Sequence, residues 1–328
     1  MLEAVAARHD VVGVVTQPDR PAGRGHKLVA TPVKRAAEAR ALRVLTPEKL
    51  KPFVDDARAL GADAFVVASY GKIVPQVLLD AVPIAFNVHP SLLPLYRGAT
   101  PLQSAIRDGR TETGVTIIAM DAGMDTGDVL LQEHTPIGAA ETYGELHDRL
   151  AKRGAEMAVE AVDRYANGTL VRTPQSEVAR QFGFSDADIA ATVTRPLRKE
   201  DLVIDWRRAP ADVVNLVRAL APQPLARSEF LDEPLKIVAV RAVTLDELAN
   251  ELGGIVGWHR GLHGAGKPGR ELLYAVHGSD PDSPVTVPDG AVIVDRVIPP
   301  NRGAMSGSAY VHRHLADFHA WLAGEAEA

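Results

Sequence analysis

Short apolar runs alternate with helix-period segments through the first part of this chain, and no other pattern in it restricts the architecture so strongly. Residues 11–16 (VVGVVT), 43–46 (RVLT) and 64–69 (AFVVAS) have strand character, while 32–41 and 47–60 carry helical patterning. Such alternation builds βαβ units and predicts an α/β fold with a doubly wound, mostly parallel sheet of Rossmann-like type. Further on, the pattern predicts a short helix at 75–81, a strand at 84–88, a helix at 101–108 and an apolar strand at 115–120. A long amphipathic helix is expected over 141–166, where Leu146, Leu150, Met157, Val159 and Val162 recur in helical register. Ligands of open sheets of this kind bind beyond the carboxyl ends of the strands, and two chemically rich segments fall there.

The first of these is AFNVHPSLLP, residues 85–94. Asn87 and His89 stand two apart on a strand, so both side chains point to one face, where an amide donor and a proton carrier can converge on one carbonyl. The same Asn-x-His pattern at a strand end also serves plain turn capping. The second is MDAGMDTGD, residues 120–128, about 36 residues beyond His89. It can supply a carboxylate to such a histidine, although spacing alone does not choose among Asp121, Asp125 and Asp128.

With 328 residues the chain is long enough for two domains with substantial cores. It has no cysteine, which removes disulfides, thiolate metal sites and a cysteine nucleophile, and fits a reducing compartment. The start, MLEAVAARHD, lacks a basic head followed by an apolar core, and no run reaches the roughly 18 apolar residues of a membrane span. A cytoplasmic location with no membrane partner is expected. The net charge of −6 argues against a protein that coats nucleic acid. Locally the balance reverses: Arg20, Arg24, Lys27, Lys34, Arg35, Arg40 and Arg43 face only Asp19 and Glu38 over residues 19–43.

Beyond residue 168 the pattern loosens. Residues 178–200 read as a linker between a first domain over 1–177 and a second over 201–328. The second opens with a helix at 209–220. Short strand-like runs follow at 235–243, 254–258, 271–277, 285–288 and 291–298, and a terminal helix at 313–322. That strand count is compatible with a small barrel. Three decoys are set aside. GAGKPG at 264–269 has dinucleotide-fingerprint spacing, but Pro268 blocks the helix that the motif needs. His259 with His263, and His312, His314 with His319, lack partners in metal-ligand pattern, so no metal is expected. The sequon Asn167-Gly168-Thr169 carries no meaning without a secretory signal.

NVHPSLLPLYRGATPLQ at 87–103 followed by TGVTIIAMDAGMDTGDVL at 113–130 resembles the formyltransferase family that uses 10-formyltetrahydrofolate. VTQPDRPAGRGHKL at 15–28 resembles the basic insertion loop of the branch that formylates methionine esterified to initiator tRNA, and LVIDW at 202–206 resembles the start of that branch's second domain. The likeness runs from the first dozen residues to about residue 167 and is thinner after 235. It implies a transferase of translation initiation and one-carbon metabolism with Asn87, His89 and Asp125 as the catalytic set. It also implies 10-formyltetrahydrofolate as a consumed cosubstrate held by Ser91, Leu92, Leu93 and Pro94, and Arg20, Arg24 and Lys27 in contact with charged initiator methionyl-tRNA. An OB-like barrel that binds tRNA is implied for 201–328, and a monomer is expected. Members of the family begin with a strand ending in a Gly-Thr-Pro turn, and this chain is expected to enter partway along the helix that follows. Two other readings fit less of the sequence: a family member acting on a small amine, and an RNA-binding protein whose active site has decayed.

Overall fold

The computed structural model of the chain describes residues 1–22, 27–230, 232–252, 263–265, 272–276 and 290–322. Contacts divide it into two compact units. The first holds Met1–Pro101, Glu112–Pro136 and His147–Arg195; the second holds Leu102–Thr111, Ile137–Leu146 and Pro196–Ala328.

The first unit starts with α1 (Leu2–Ala6), β1 (Val14–Val15), β2 (Arg20–Ala22), β3 (Lys27–Val29), α2 (Pro32–Glu38) and β4 (Val44–Leu45). β1 and β4 pair in parallel around α2, as the alternation predicts. Thr31 fixes where α2 begins, because its hydroxyl oxygen accepts the Lys34 amide at 3.1 Å and Pro32 brings a helical φ with no orphaned donor. Within the basic segment β2 and β3 pair antiparallel, Arg20 opposite Val29. In the predicted helix at 47–60, Pro52 allows only a 3-10 turn at Lys51–Phe53, and the α-helix α3 (Val54–Arg58) starts after it.

β5 (Ala64–Val67), α4 (Gln76–Leu79) and β6 (Ile84–His89) follow in the first unit, then α5 (Pro101–Arg107), which falls in the second unit from Leu102 on, and β7 (Glu112–Ala119), β8 (Val129–Pro136) and α6 (Tyr143–Ala166), the last in the first unit from His147 on. The sheet order is β5-β6-β7-β8, with β5 and β6 parallel and both β6–β7 and β7–β8 antiparallel. The sheet is therefore mixed. β8 escapes sequence patterning because its second half, Gln132 to Pro136, is polar and half-exposed and so shows no apolar run. α6 covers the sheet with Leu150, Met157, Ala158 and Ala161 buried. At Gly154 it comes so close that an added Cβ would lie 2.9 Å from Val88 Cγ1. Near its end Tyr165 meets Phe86 edge to face at 6.0 Å.

Next come α7 (Gln175–Phe182) and α8 (Asp186–Ala191). Gly183 closes α7 in the left-handed conformation, and a capping box of Ser185 and Asp188 opens α8. Residues 192–195 then run back along residues 96–100. There Thr192 Oγ1 accepts the Tyr96 amide, Thr194 Oγ1 accepts the Thr100 amide, and the Thr194 amide bonds Arg97 O.

The second unit carries α9 (Pro210–Leu220), β9 (Ala226–Phe230), β10 (Glu233–Val243), α10 (Leu245–Leu252), β11 (His263–Ala265), β12 (Leu272–Val276), β13 (Ala291–Ile298), β14 (Met305–Ser306) and α11 (Gly307–Leu322). The strands form one antiparallel sheet in the order β11-β12-β13-β10-β9, with β14 beside β13. Among the described residues no pairing joins β11 to β9. Alternation along β13 divides its side chains between two cores: Val292 and Val294 lie with Val213, Val217, Phe230, Ile237 and Tyr310, while Ala291 and Ile293 lie with Leu248 and Tyr274. Each fully buried side chain of this size contributes roughly 1.5 to 3 kcal/mol. The apolar pattern gives no sign of α10. Its start is a capping box in which Glu247 Oε2 accepts the Thr244 amide and Thr244 Oγ1 accepts the Glu247 amide. The expected strands at 254–258 and 285–288 lie outside the described residues, as do His259 and positions 266–269 of the GAGKPG segment.

Candidate active site

β6 places Asn87 and His89 at the end of the sheet's parallel half, opposite Ile118 and Thr116 of β7. Both face the same carboxylate. Asn87 Nδ2 donates to Asp125 Oδ1 at 3.0 Å, and His89 Nδ1 stands 3.6 Å from Asp125 Oδ2. The amide orientation of Asn87 follows from its partner, since a carboxylate only accepts. The second N–H of that amide is not needed by Asp125.

Asp125 owes its place to a tightly wound loop. Its φ is 55°, a left-handed conformation that is uncommon for a residue with a side chain. Asp121 shapes the turn before it, with Oδ1 accepting the Gly123 amide at 3.0 Å and the Thr126 hydroxyl at 2.7 Å. Gly127 returns the chain to β7 so closely that a Cβ would lie 1.7 Å from Ala119 O. Of the three acidic side chains that spacing left equal, Asp125 is the one that meets Asn87 and His89, while Asp121 is spent within the loop.

His89 is 4 % exposed, and its Nε2 lies 2.9 Å from Tyr96 O. A carbonyl accepts only, so Nε2 carries the proton of the neutral ring and Nδ1 presents a lone pair to Asp125. Burial pushes the His89 pKa below the usual histidine value, against the pull of the Asp125 charge and the Tyr96 carbonyl, which favour the charged ring. The ring is thus neutral at rest and faces the group that would stabilise it once protonated.

The turn after the proline loop supplies the remaining clamps. Gly98 N donates to Asp125 Oδ2 at 2.9 Å, and a Cβ on Gly98, at φ 106°, would meet Thr194 O at 2.2 Å. Gln175, buried at the start of α7, donates to Asp125 O and Gly127 O and accepts both prongs of the Arg97 guanidinium. Sequence reasoning assigns no role to Arg97, Gly98 or Gln175. The first two lie inside the 87–103 motif and could be flagged by its length; Gln175 gives no signal of its own.

Of the residues expected to hold folate, Ser91, Leu93 and Pro94 are buried and Leu92 is half-buried. Ser91 Oγ donates to Leu95 O, and Leu93 packs with Ile118, Val129 and Val178. Contacts from this loop would therefore come from Leu92 and from backbone groups. Met124, beside Asp125, is 55 % exposed and offers a further apolar surface.

Arg20 is exposed on β2 and lines a cavity of about 420 Å³ with Gln17, Val29, Tyr70 and Lys72. Arg24 and the Lys27 side chain lie outside the described residues. Much of the remaining basic face is internally engaged: Lys34 bonds both oxygens of Asp19 at 2.9 Å, Arg35 donates to Ala30 O, and Arg40 pairs with Glu3.

Comparison with known proteins adds identity to geometry. Residues 2–162 match the formyl transferase family and residues 196–315 its C-terminal domain. A methionyl-tRNA formyltransferase of Solibacter usitatus is 42 % identical over 276 residues, covering 83 % of this chain and 85 % of the relative. That of Chloroflexus aurantiacus is 40 % identical over 323 residues, covering 97 % of this chain and 93 % of the relative. Among solved structures, the N-formyltransferase from Helicobacter canadensis with folinic acid and dTDP-3-aminofucose superposes with a TM-score of 0.58 at 17 % identity, covering 89 % of this chain and 93 % of that one. HypX from Aquifex aeolicus in complex with tetrahydrofolic acid gives 0.54 at 18 % identity, covering 85 % and 44 %. At such low identity these two structures speak to the fold alone.

Proposed function

Because this chain belongs to the formyltransferase family, we propose that it transfers the formyl group of 10-formyltetrahydrofolate to the α-amine of methionine carried by initiator tRNA. Relatives of that name at 40 and 42 % identity support the substrate. The observation that carries the chemistry is the convergence of Asn87 and His89 on Asp125.

The reaction is acyl transfer through a tetrahedral intermediate, and its demands match what these side chains offer. The attacking amine must be uncharged, negative charge gathers on the formyl oxygen, and a proton must pass from the incoming nitrogen to the departing one. In this reading the free N–H of Asn87 binds the developing oxyanion, an interaction worth roughly 3 to 4 kcal/mol in a water-poor site. His89, neutral at rest, takes the proton and delivers it to the departing nitrogen. Tyr96 O holds the ring in place, and Asp125 faces it and stabilises its charged form. Folate is consumed in each turnover, and its heteroaromatic ring finds apolar surface in Leu92 and Met124, close in sequence to His89 and Asp125.

Arg20, Arg24 and Lys27 belong to the tRNA side of this proposal, since clustered cations can bind phosphates. So does the division into a catalytic part over 1–177, a connector over 178–200 and an OB-like tRNA-binding part over 201–328. A cytoplasmic monomer completes the reading. Assaying formyl transfer to charged initiator tRNA, with free methionine and a sugar-nucleotide amine as controls, tests it. Transfer to a small amine but not to the charged tRNA would assign a different acceptor, and no transfer at all would leave only nucleic-acid binding.

A further inference from the structure

We infer that Gln175 is a positioning residue for this transfer site, tying together the two backbone segments that hold His89 and Asp125. The inference rests on the formyl-transfer reading above. It is carried by the way Gln175 spends its amide. Nε2 donates to Asp125 O at 2.7 Å and Gly127 O at 2.8 Å, while Oε1 accepts Arg97 Nε at 3.0 Å and Nη2 at 2.7 Å. Every hydrogen-bonding position of a glutamine is thereby used, in a side chain that is 5 % exposed. The orientation is dictated by the partners, because carbonyls only accept and a guanidinium only donates.

The consequence lies in what flanks these partners. Arg97 sits between Tyr96, whose carbonyl meets His89 Nε2, and Gly98, whose amide meets Asp125 Oδ2. On the other side, Asp125 itself is held in a left-handed conformation, φ 55°, that is uncommon for a residue with a Cβ. One buried amide thus joins the 96–98 turn to the 125–127 loop, and the separation of the His89 ring from the Asp125 carboxylate depends on both. A glutamate here would keep the grip on Arg97 but set a negative oxygen against two carbonyl oxygens. Glutamine is required by that asymmetry. The charged groups acting on the site are Asp125, which faces His89 directly, and Arg97, which feels both Asp121 and Asp125.

The test uses the full chain with Gln175→Glu, Gln175→Met and the milder Arg97→Lys. For each, kcat, the KM values for the folate donor and charged tRNA, the pH profile of kcat, thermal unfolding and the nitrogen NMR titration of the His89 imidazole are measured. Both Gln175 variants should lower kcat by about 10- to 100-fold with KM changed less than about threefold, since displacement of reacting groups acts on the transition state. Arg97→Lys should fall between them and the parent. Gln175→Glu should also move the acidic limb of the profile and the His89 titration to higher pH, by up to about one unit, because an added negative charge favours the imidazolium. A parent protein that transfers no formyl group defeats the formyl-transfer reading, and the His89 titration alone then decides the role of Gln175. A parent that is active, with variants of unchanged kcat and an unmoved titration, overturns the positioning role. Loss of activity that merely tracks loss of folding in all three variants overturns it too.

Discussion

His89 Nδ1 and Asp125 Oδ2 face each other at 3.6 Å, beyond hydrogen-bond reach, while that same Oδ2 already accepts the Gly98 amide at 2.9 Å. The neutral ring is anchored from its far side by Tyr96 O, so two lone pairs oppose one another across the gap. A proton arriving on Nδ1 converts that opposition into a charge-assisted hydrogen bond, which is shorter and about twice as strong as a neutral one. The couple is loose at rest and tightens when the ring is loaded.

His89→Ala and Asn87→Ala should each reduce formyl transfer by at least about a hundredfold while folate affinity changes far less, because both groups act chiefly on the transition state. Single-turnover rates compared with equilibrium folate binding check this. Near-normal turnover in either variant would remove that residue from the chemistry.

The depressed pKa of His89 gives a signed expectation. Burial disfavours the imidazolium, so the ring stays neutral, and transfer persists, to below the ordinary value of about 6.5. Asp125→Asn removes the charge that pulls the pKa up, so the acidic limb should move lower still while the plateau rate drops. Folding follows the same linkage. Below about 6.5 the unfolded chain binds a proton that the buried ring resists, so this residue's contribution is full above that pH and lost as pH falls through the folded pKa. His89→Gln should flatten that part of the stability profile in denaturant titrations, and an unflattened profile would place the effect elsewhere.

Gly98→Ala should destabilise the first unit by about 1 to 3 kcal/mol, or more if the chain cannot yield, since the new Cβ is driven onto the Thr194 carbonyl. Gly183→Ala is the matched control: its φ of 73° is also left-handed, but nothing lies within 4 Å of the added carbon. It should cost only the backbone term, about 1 kcal/mol. Thermal unfolding of the two variants side by side separates clash from conformation, and equal losses would show that Thr194 moves aside.

Arg20→Ala should raise the KM for charged tRNA more than that for folate and shrink the salt slope of tRNA binding by roughly 0.7 to 0.9 for each phosphate that is no longer neutralised. An unchanged slope would leave this arginine as a solvated side chain.

Periodicity is enough for the βαβ portion and for α6, because burial on one face writes its period into the sequence. The Asn87 and His89 pair is legible for the same reason: two residues apart on a strand is a geometric statement. Where periodicity fails, the cause is local chemistry. Pro52 shortens a helix, the half-exposed, polar second half of β8 hides a strand, and α10 is lost among strand-like neighbours although Thr244 and Glu247 spell a capping box. Within the acidic loop, only resemblance can choose Asp125, since the choice depends on a left-handed turn no spacing rule encodes. Gln175 is invisible because its partners are backbone carbonyls and an arginine distant in sequence.

β13 has apolar residues toward both of its faces from Ala291 to Val294. A strand clad this way receives little guidance from hydrophobicity about its alignment, since sliding by one position exchanges one oily face for another. Alignment must therefore be encoded elsewhere. Two devices are at hand: an irregularity in the β10–β13 ladder between Ile237 and Val240, and the Arg241 guanidinium, which reaches Asp295 at 3.1 Å and grips Glu251 with its other nitrogens. A slip would turn Asp295 to the opposite face and strand that guanidinium. These half-exposed charges add little to the depth of the folded well. Their work is to make the neighbouring well, one residue over, shallower.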